Sequence, residues 1–152
     1  MKKIILFILL IFTLCNCVTI KNYYWQYSEY DLIRRNSLYF IQLTVNNKTA
    51  LFLIDSGSSK SFLDITQYDK YEFMYIDKPI ERYIGIGGFQ NIYTVFGYEI
   101  KEMFVPMLGI NLEELNPYFK SDNIKITGII GSEYLLTRNA VIDYENNKLY
   151  LK

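Results

Sequence analysis

A chain of 152 residues, with sixteen basic and sixteen acidic side chains, suggests one domain and has no basic surplus for gripping nucleic acid. Its residues are 51% apolar, with fifteen Tyr and ten Phe, which is enough for a packed core and argues against disorder. There is no His, and the only Cys are Cys15 and Cys17, so a Ser–His–Asp triad, a Cys–His pair, an HExxH zinc site and a thiolate metal cluster are all excluded from the body of the chain. General acid–base chemistry would fall to carboxylates, Lys or Tyr. Richness in Tyr, Ile, Val and Phe favours a β-rich domain.

Met1-Lys2-Lys3 is a short basic start, and Ile4 to Leu14 is an apolar run. That run is shorter than the roughly 20 residues needed to span a bilayer. The pattern predicts a secretory signal over residues 1–17. The competing reading is a buried N-terminal strand of a cytoplasmic chain. Leu14-Cys15-Asn16-Cys17 resembles a bacterial lipoprotein signal, with Asn16 departing from the small residue usual there. It implies an exported protein anchored to a membrane by a lipid on Cys17. Ordinary cleavage near Cys15 would instead release a soluble protein. Residues 18–35, rich in Tyr and charge, are expected to be a tether or N-terminal extension.

Residues 36–152 form the expected domain. Leu38 to Val45 reads as a strand, Asn46-Asn47-Lys48 as a tight turn, and Thr49 to Ile54 as the returning strand. The run Leu51-Phe52-Leu53-Ile54 is continuously apolar, as in a strand covered on both faces. It leads directly into Asp55-Ser56-Gly57-Ser58. A carboxylate where burial begins needs a reason, because burying an unpaired charge is costly. Gly57 would permit positive φ in a tight turn, and serine hydroxyls with turn amides would hold the carboxylate charged. The plainer alternative is that Asp55 only caps the turn.

Lys60 to Asp64 resumes an extended pattern, followed by a short turn or helix over residues 64–68. Gly85, Gly87 and Gly88 then flank Ile86 in a hairpin suited to close approach to a ligand, or in a plain glycine bulge. A dinucleotide fingerprint fails, because Gln90 occupies the last glycine position. Asn91 to Gly97 and Tyr98 to Pro106 read as two further strands, and residues 111–115 as a short helical signal limited by Pro117. Gly128-Ile129-Ile130-Gly131 is an apolar strand bracketed by glycines that allow a neighbouring segment to pack closely. Residues 133–137 suit one or two helical turns. Residues 140–144 and 148–151 suit a closing hairpin.

Taken together, the strand ending in Asp55-Ser56-Gly57-Ser58, the glycine-rich hairpin, Ile129-Ile130-Gly131 about 75 residues further on, and the closing hairpin resemble the retropepsin-like aspartic proteases over roughly residues 38–151. Ser56 departs from the usual Thr but keeps the hydroxyl. The resemblance implies an all-β, closed acid-protease barrel with one or two short helices and one lobe per chain. It implies a homodimer, since each chain carries one Asp-Ser-Gly and the site needs two. Two Asp55 carboxylates meeting across a two-fold axis would share a proton and activate a water against a peptide bond, without metal or cofactor. Ser56 would brace the two loops, Ser58 would donate to the carboxylate, Gly85, Ile86, Gly87 and Gly88 would form a flap, and Ile129, Ile130 and Gly131 would pack behind the loop. The implied partners are a peptide or protein substrate and a second subunit. Two other readings stay open: a catalytically silent version of the fold serving as a peptide-binding or assembly lipoprotein, and an unrelated β-rich surface protein.

Overall fold

The structure, a computed structural model, describes residues 26–85, 88–113 and 125–152. The predicted signal over 1–17, Cys17, and the flap residues Ile86 and Gly87 lie outside the described residues. Among the described residues the strands are β1 (Ser28–Arg35), β2 (Leu38–Val45), β3 (Lys48–Asp55), β4 (Phe62–Asp64), β5 (Met74–Tyr75), β6 (Glu81–Gly85), β7 (Gly88–Phe96), β8 (Leu108–Ile110), β9 (Gly128–Gly131), β10 (Val141–Asp143) and β11 (Lys148–Leu151). A 3-10 turn (Ile65–Gln67) and two short helices, α1 (Tyr68–Tyr71) and α2 (Ser132–Thr137), complete the order.

The strands lie in the order β10-β11-β1-β2-β3-β9-β4-β8-β7-β5, with β6 added on β7. Most pairs are antiparallel, whereas β3–β9 and β4–β8 are parallel. The fold is therefore mostly β with few short helices, as expected. The expected closure is not seen. A closed barrel needs its last strand to pair with its first, and here the path ends at β10 on one side and at the two-residue β5 on the other. Residues 28–35, placed in the tether or extension by the sequence, form β1, which pairs with both β2 and β11.

Local chemistry accounts for the hairpins. Asn46 and Asn47 sit at φ 44° and 64°, the left-handed pair that a two-residue hairpin turn demands, and they join β2 to β3. The segment from Tyr98 to Pro106 is not a strand, although Met103, Val105 and Met107 are buried and Phe104 is exposed. The Tyr98 hydroxyl donates to the Val105 carbonyl (3.2 Å) and accepts from the Met107 amide (2.7 Å), so a side chain serves backbone that a neighbouring strand would otherwise serve. The helical signal at residue 111 also fails over its described part. Asn111 accepts from the Glu113 amide (2.8 Å), and the Leu112 amide is drawn to Asp64 (3.2 Å).

The central strands are covered on both faces, as their continuous apolar runs predict. Phe40, Leu53, Phe62 and Ile129 join one core with Ile92, Ile110, Leu112 and Ile126. Their neighbours Ile41, Phe52, Leu63 and Ile130 join the larger core on the other face. Successive side chains on a strand point to opposite faces, so both sides of these strands are buried.

Candidate active site

The site begins with an exchange of neighbours. β3 and β4 are linked by the short segment of residues 56–61, yet they are not paired with each other. β9 lies between them, parallel to β3 and antiparallel to β4. The register pairs Ile54 with Ile130 and Asp55 with Gly131. The segment after Asp55 must therefore pass over the end of β9. The two glycines of β9 make that possible. A Cβ on Gly131 would lie 2.2 Å from the Lys60 carbonyl oxygen, and one on Gly128 would lie 2.3 Å from that of Phe62. These glycines are required by space, since Gly131 has an ordinary φ of −93°.

The 56–61 loop is fastened to the body by buried or half-buried bonds. The Ser132 amide and hydroxyl both donate to the Ser58 carbonyl, at 2.7 and 2.9 Å. The Ser61 amide donates to Glu133 Oε1 (2.6 Å), and the Ser61 hydroxyl accepts from the Gly131 amide (2.9 Å). The first residues of α2 thus hold the loop at its middle and at its far end. Net contributions of such bonds run at about 1 kcal/mol each.

Asp55 is half-buried at the end of β3, and its Oδ1 accepts from the Gly57 amide (2.9 Å). The turn-capping reading is correct as far as it goes. Two finer expectations are not met. Gly57 does not have positive φ; its role is space, since a Cβ there would stand 3.1 Å from Asp55 Oδ1. The Ser58 hydroxyl does not serve the carboxylate either. It is buried and donates to the Lys60 carbonyl (2.7 Å), because the tight crossing over β9 turns that oxygen toward it. Ser56 is exposed at the loop's outer side.

The hairpin β6–β7 reaches the loop from the other direction. Tyr83 on β6 packs its ring edge-on to Phe62, with centroids 5.5 Å apart. Its hydroxyl accepts from the Ser59 amide (3.0 Å) and shares a hydrogen bond with the Ser59 hydroxyl (2.9 Å). The Ser59 side chain, followed by its amide, holds the phenol below the usual tyrosine range, against opposing pushes from burial and the Asp55 carboxylate. Ile84 and Phe89 face each other across the hairpin and are both exposed. Gly88 has φ 92°, the left-handed conformation that favours glycine, whereas a Cβ on Gly85 would meet nothing among the described residues. Sequence reasoning missed Tyr83 and Glu133. Neither contact has a local signature, since they join residues 24 and 72 positions apart.

A solved retropepsin-like aspartic protease from Rickettsia conorii is similar to this chain at a TM-score of 0.50 and 20% identity, covering 82% of this chain and 93% of that one. The chain has the retropepsin-like fold. The retroviral protease-like domain of Ddi1 from Leishmania major matches with a TM-score of 0.45 and 18% identity, over 74% of this chain and 86% of that one. The EIAV protease, solved with the inhibitor HBY-793, matches with a TM-score of 0.41 and 18% identity, over 73% and 99%. No protein-family model and no curated protein matches the sequence. Within the retropepsin-like fold of this chain, Asp55, Gly57, Ser58, Gly131 and the β6–β7 hairpin come together around one loop. Ile129 and Ile130 lie beneath it on opposite faces of β9.

Proposed function

We propose that this protein is an aspartic endopeptidase whose active site forms from two copies of the chain, each contributing Asp55. The observation that carries the reading is Asp55 in register with Gly131, at the end of a strand whose following loop is fastened to α2 and faced by a hairpin. One carboxylate would act as general base on a water between the pair, and the other, protonated, would polarise the peptide carbonyl. Two like charges at that distance cannot readily coexist, so the pair would titrate as a unit. The substrate would lie extended between loop and hairpin as an added strand, with Gly85 to Gly88 as the flap and Ser56 as the brace between the two loops. The chemistry calls for no metal or cofactor. The leader supports export and anchoring to a membrane through a lipid on Cys17.

Cleavage of an unfolded protein at mildly acidic pH tests the reading. Asp55→Asn should lower the rate by about 10²–10⁴-fold, the range for losing a positioned acid or base. Equal rates in both forms would remove Asp55 from the mechanism. Mixing subunits tests the dyad. In an exchanged one-to-one mixture with Asp55→Asn chains, about a quarter of the activity should survive, against about half if each chain works alone. A second reading, a silent peptide-binding or assembly lipoprotein, is motivated by the single Asp-Ser-Gly per chain. A mature domain that sediments as a strict monomer at high concentration would favour it.

A further inference from the structure

The loop after Asp55 uses its main chain unevenly. The Gly57 amide goes to Asp55 Oδ1, the Ser58 amide to the Asp55 carbonyl (3.2 Å), and the Ser61 amide to Glu133. The Ser58 carbonyl receives Ser132, the Lys60 carbonyl receives Ser58, and the Ser61 carbonyl receives the Leu108 amide (3.0 Å). All of these partners belong to the loop itself or to the body beneath it. The Ser59 amide differs. It points away from the body, toward the hairpin, and its partner is a side chain on β6. Ser59 is exposed and Tyr83 is only half-buried, so this bond lies at the surface shared by loop and hairpin.

A main-chain amide directed into the space between a loop and a hairpin is the kind of group an extended peptide pairs with when it binds as an added strand. Here that donor is already taken. Side-chain oxygen and peptide carbonyl are equivalent acceptors for one N–H, so they cannot both hold it at full strength. We propose that Tyr83 is a latch: its hydroxyl occupies the Ser59 amide in the free chain and yields it to a main-chain carbonyl of an extended peptide bound beside Asp55. The latch ties β6 to the loop while the site is empty, and peptide binding exchanges that bond for one of its own. The inference rests on the peptide-cleft reading above, but not on hydrolysis.

Tyr83→Phe is the informative change. It keeps the ring against Phe62 and removes only the hydroxyl, so the hairpin keeps its packing. Ser59→Ala is the companion, because it deletes the hydroxyl–hydroxyl bond and leaves the amide and Tyr83 in place. Amide hydrogen exchange at Ser59 in the free protein reads the latch directly. Exchange should speed up about three- to tenfold in Tyr83→Phe, the range expected for releasing one exposed hydrogen bond, and should change less in Ser59→Ala. Peptide affinity reads the competition. Binding of an unstructured, extended peptide pool is measured in an Asp55→Asn background, where cleavage cannot interfere. Adding Tyr83→Phe should tighten binding by about three- to tenfold, and Ser59 exchange should slow when peptide is bound. Unchanged Ser59 exchange in Tyr83→Phe would overturn the latch. Faster exchange with equal or weaker peptide binding would overturn its role as a competitor. Neither readout depends on turnover, so a protein that binds peptide without cutting it would leave the latch standing while the protease reading failed.

Discussion

Replacing Gly131 by Ala tests whether the crossing of the 56–61 loop over β9 is built as described. The added Cβ would lie 2.2 Å from the Lys60 carbonyl oxygen, 2.5 Å from its carbon and 2.8 Å from Glu133 Oε2. Carbon–oxygen contacts settle no closer than about 3.3 Å, so the loop or the strand must move by roughly 1 Å. The two closest atoms are backbone, and no rotamer change relieves them. The shift would strain the bonds from Ser132 to Ser58 and from Ser61 to Glu133. Overpacking of about 2 kcal/mol plus one or two weakened hydrogen bonds gives a loss of ~3 kcal/mol. For a domain of this size that lowers the melting temperature by about 10 °C. Torsion contributes nothing to the loss, since φ at Gly131 suits alanine. Gly85→Ala is the control, because its Cβ meets nothing among the described residues and its φ is not left-handed; its melting temperature should stay within about 2 °C of the parent. Thermal melts followed by far-ultraviolet circular dichroism compare the two. If Gly131→Ala melts together with Gly85→Ala, Lys60 does not lie over β9.

Asp64, fully buried, accepts from the Thr66 amide and hydroxyl, the Gln67 side chain and the Leu112 amide. Asp64→Ala strands these donors and should cost about 3 kcal/mol or more in urea unfolding. Asp64→Asn should cost less, because Gln67 Oε1 is buried without a partner among the described residues and a flipped amide could meet it. An equal loss in the two variants would refute that. Asn46 donates to the Tyr71, Glu72 and Gly97 carbonyls and accepts from the Glu99 amide while holding φ 44°. Asn46→Ala should cost ~3 kcal/mol, with Asn46→Gly recovering only the torsional part; full recovery by glycine would show that the side-chain bonds count for nothing. At Glu102, burial opposes the charge, but the hydroxyl and amide of Thr44 outweigh it and hold the carboxyl below its usual range. Because the folded value lies below the unfolded one, this stabilisation is present above the ordinary glutamate range and drains away as pH falls through the folded value. Glu102→Gln should therefore flatten the acid limb of a stability–pH curve, and an unchanged limb would show that Glu102 contributes nothing there.

The parts of the fold that were legible in the sequence are those set by local chemistry. Asn46-Asn47 fixes a hairpin turn by its own torsional tolerance, and the continuous apolar runs of β3 and β9 announce strands buried on both faces. The glycines of β9 were readable as points of close approach, although only the structure shows that the approaching groups are the carbonyls of Lys60 and Phe62. The parts that were not legible depend on partners far along the chain. Tyr98 to Pro106 shows the alternation of a strand, yet its pairing stops at a single bridge between Ile100 and Val45, and beyond it Tyr98 serves the backbone at Val105 and Met107. β8 is three residues long, too short for any period to register. Asp55 was singled out by its position at the end of an apolar run, and it does end β3. The direction of the Ser58 hydroxyl was not, because it depends on a loop crossing that sequence spacing does not encode.

The two sides of the Asp55 loop differ in how replaceable their contacts are. Ser132, Ser61 and Glu133 hold it through bonds largely withdrawn from water, and breaking these would leave polar groups without partners. Tyr83 holds it through a bond at the surface, to a donor that water or a peptide serves equally well. The proposed function, which keeps a carboxylate in place while admitting a long, extended ligand, would need this division: a fixed floor, and a cover whose contacts can be traded at little net cost. Fixing both sides equally would make ligand entry require local unfolding, and loosening both would let Asp55 drift relative to its partner groups. The crossing over β9 supplies the first condition, because Gly131 lets the loop rest on backbone. The β6–β7 hairpin supplies the second, because β6 lies off the main strand path, carried on β7, and reaches the loop through a side chain rather than a ladder.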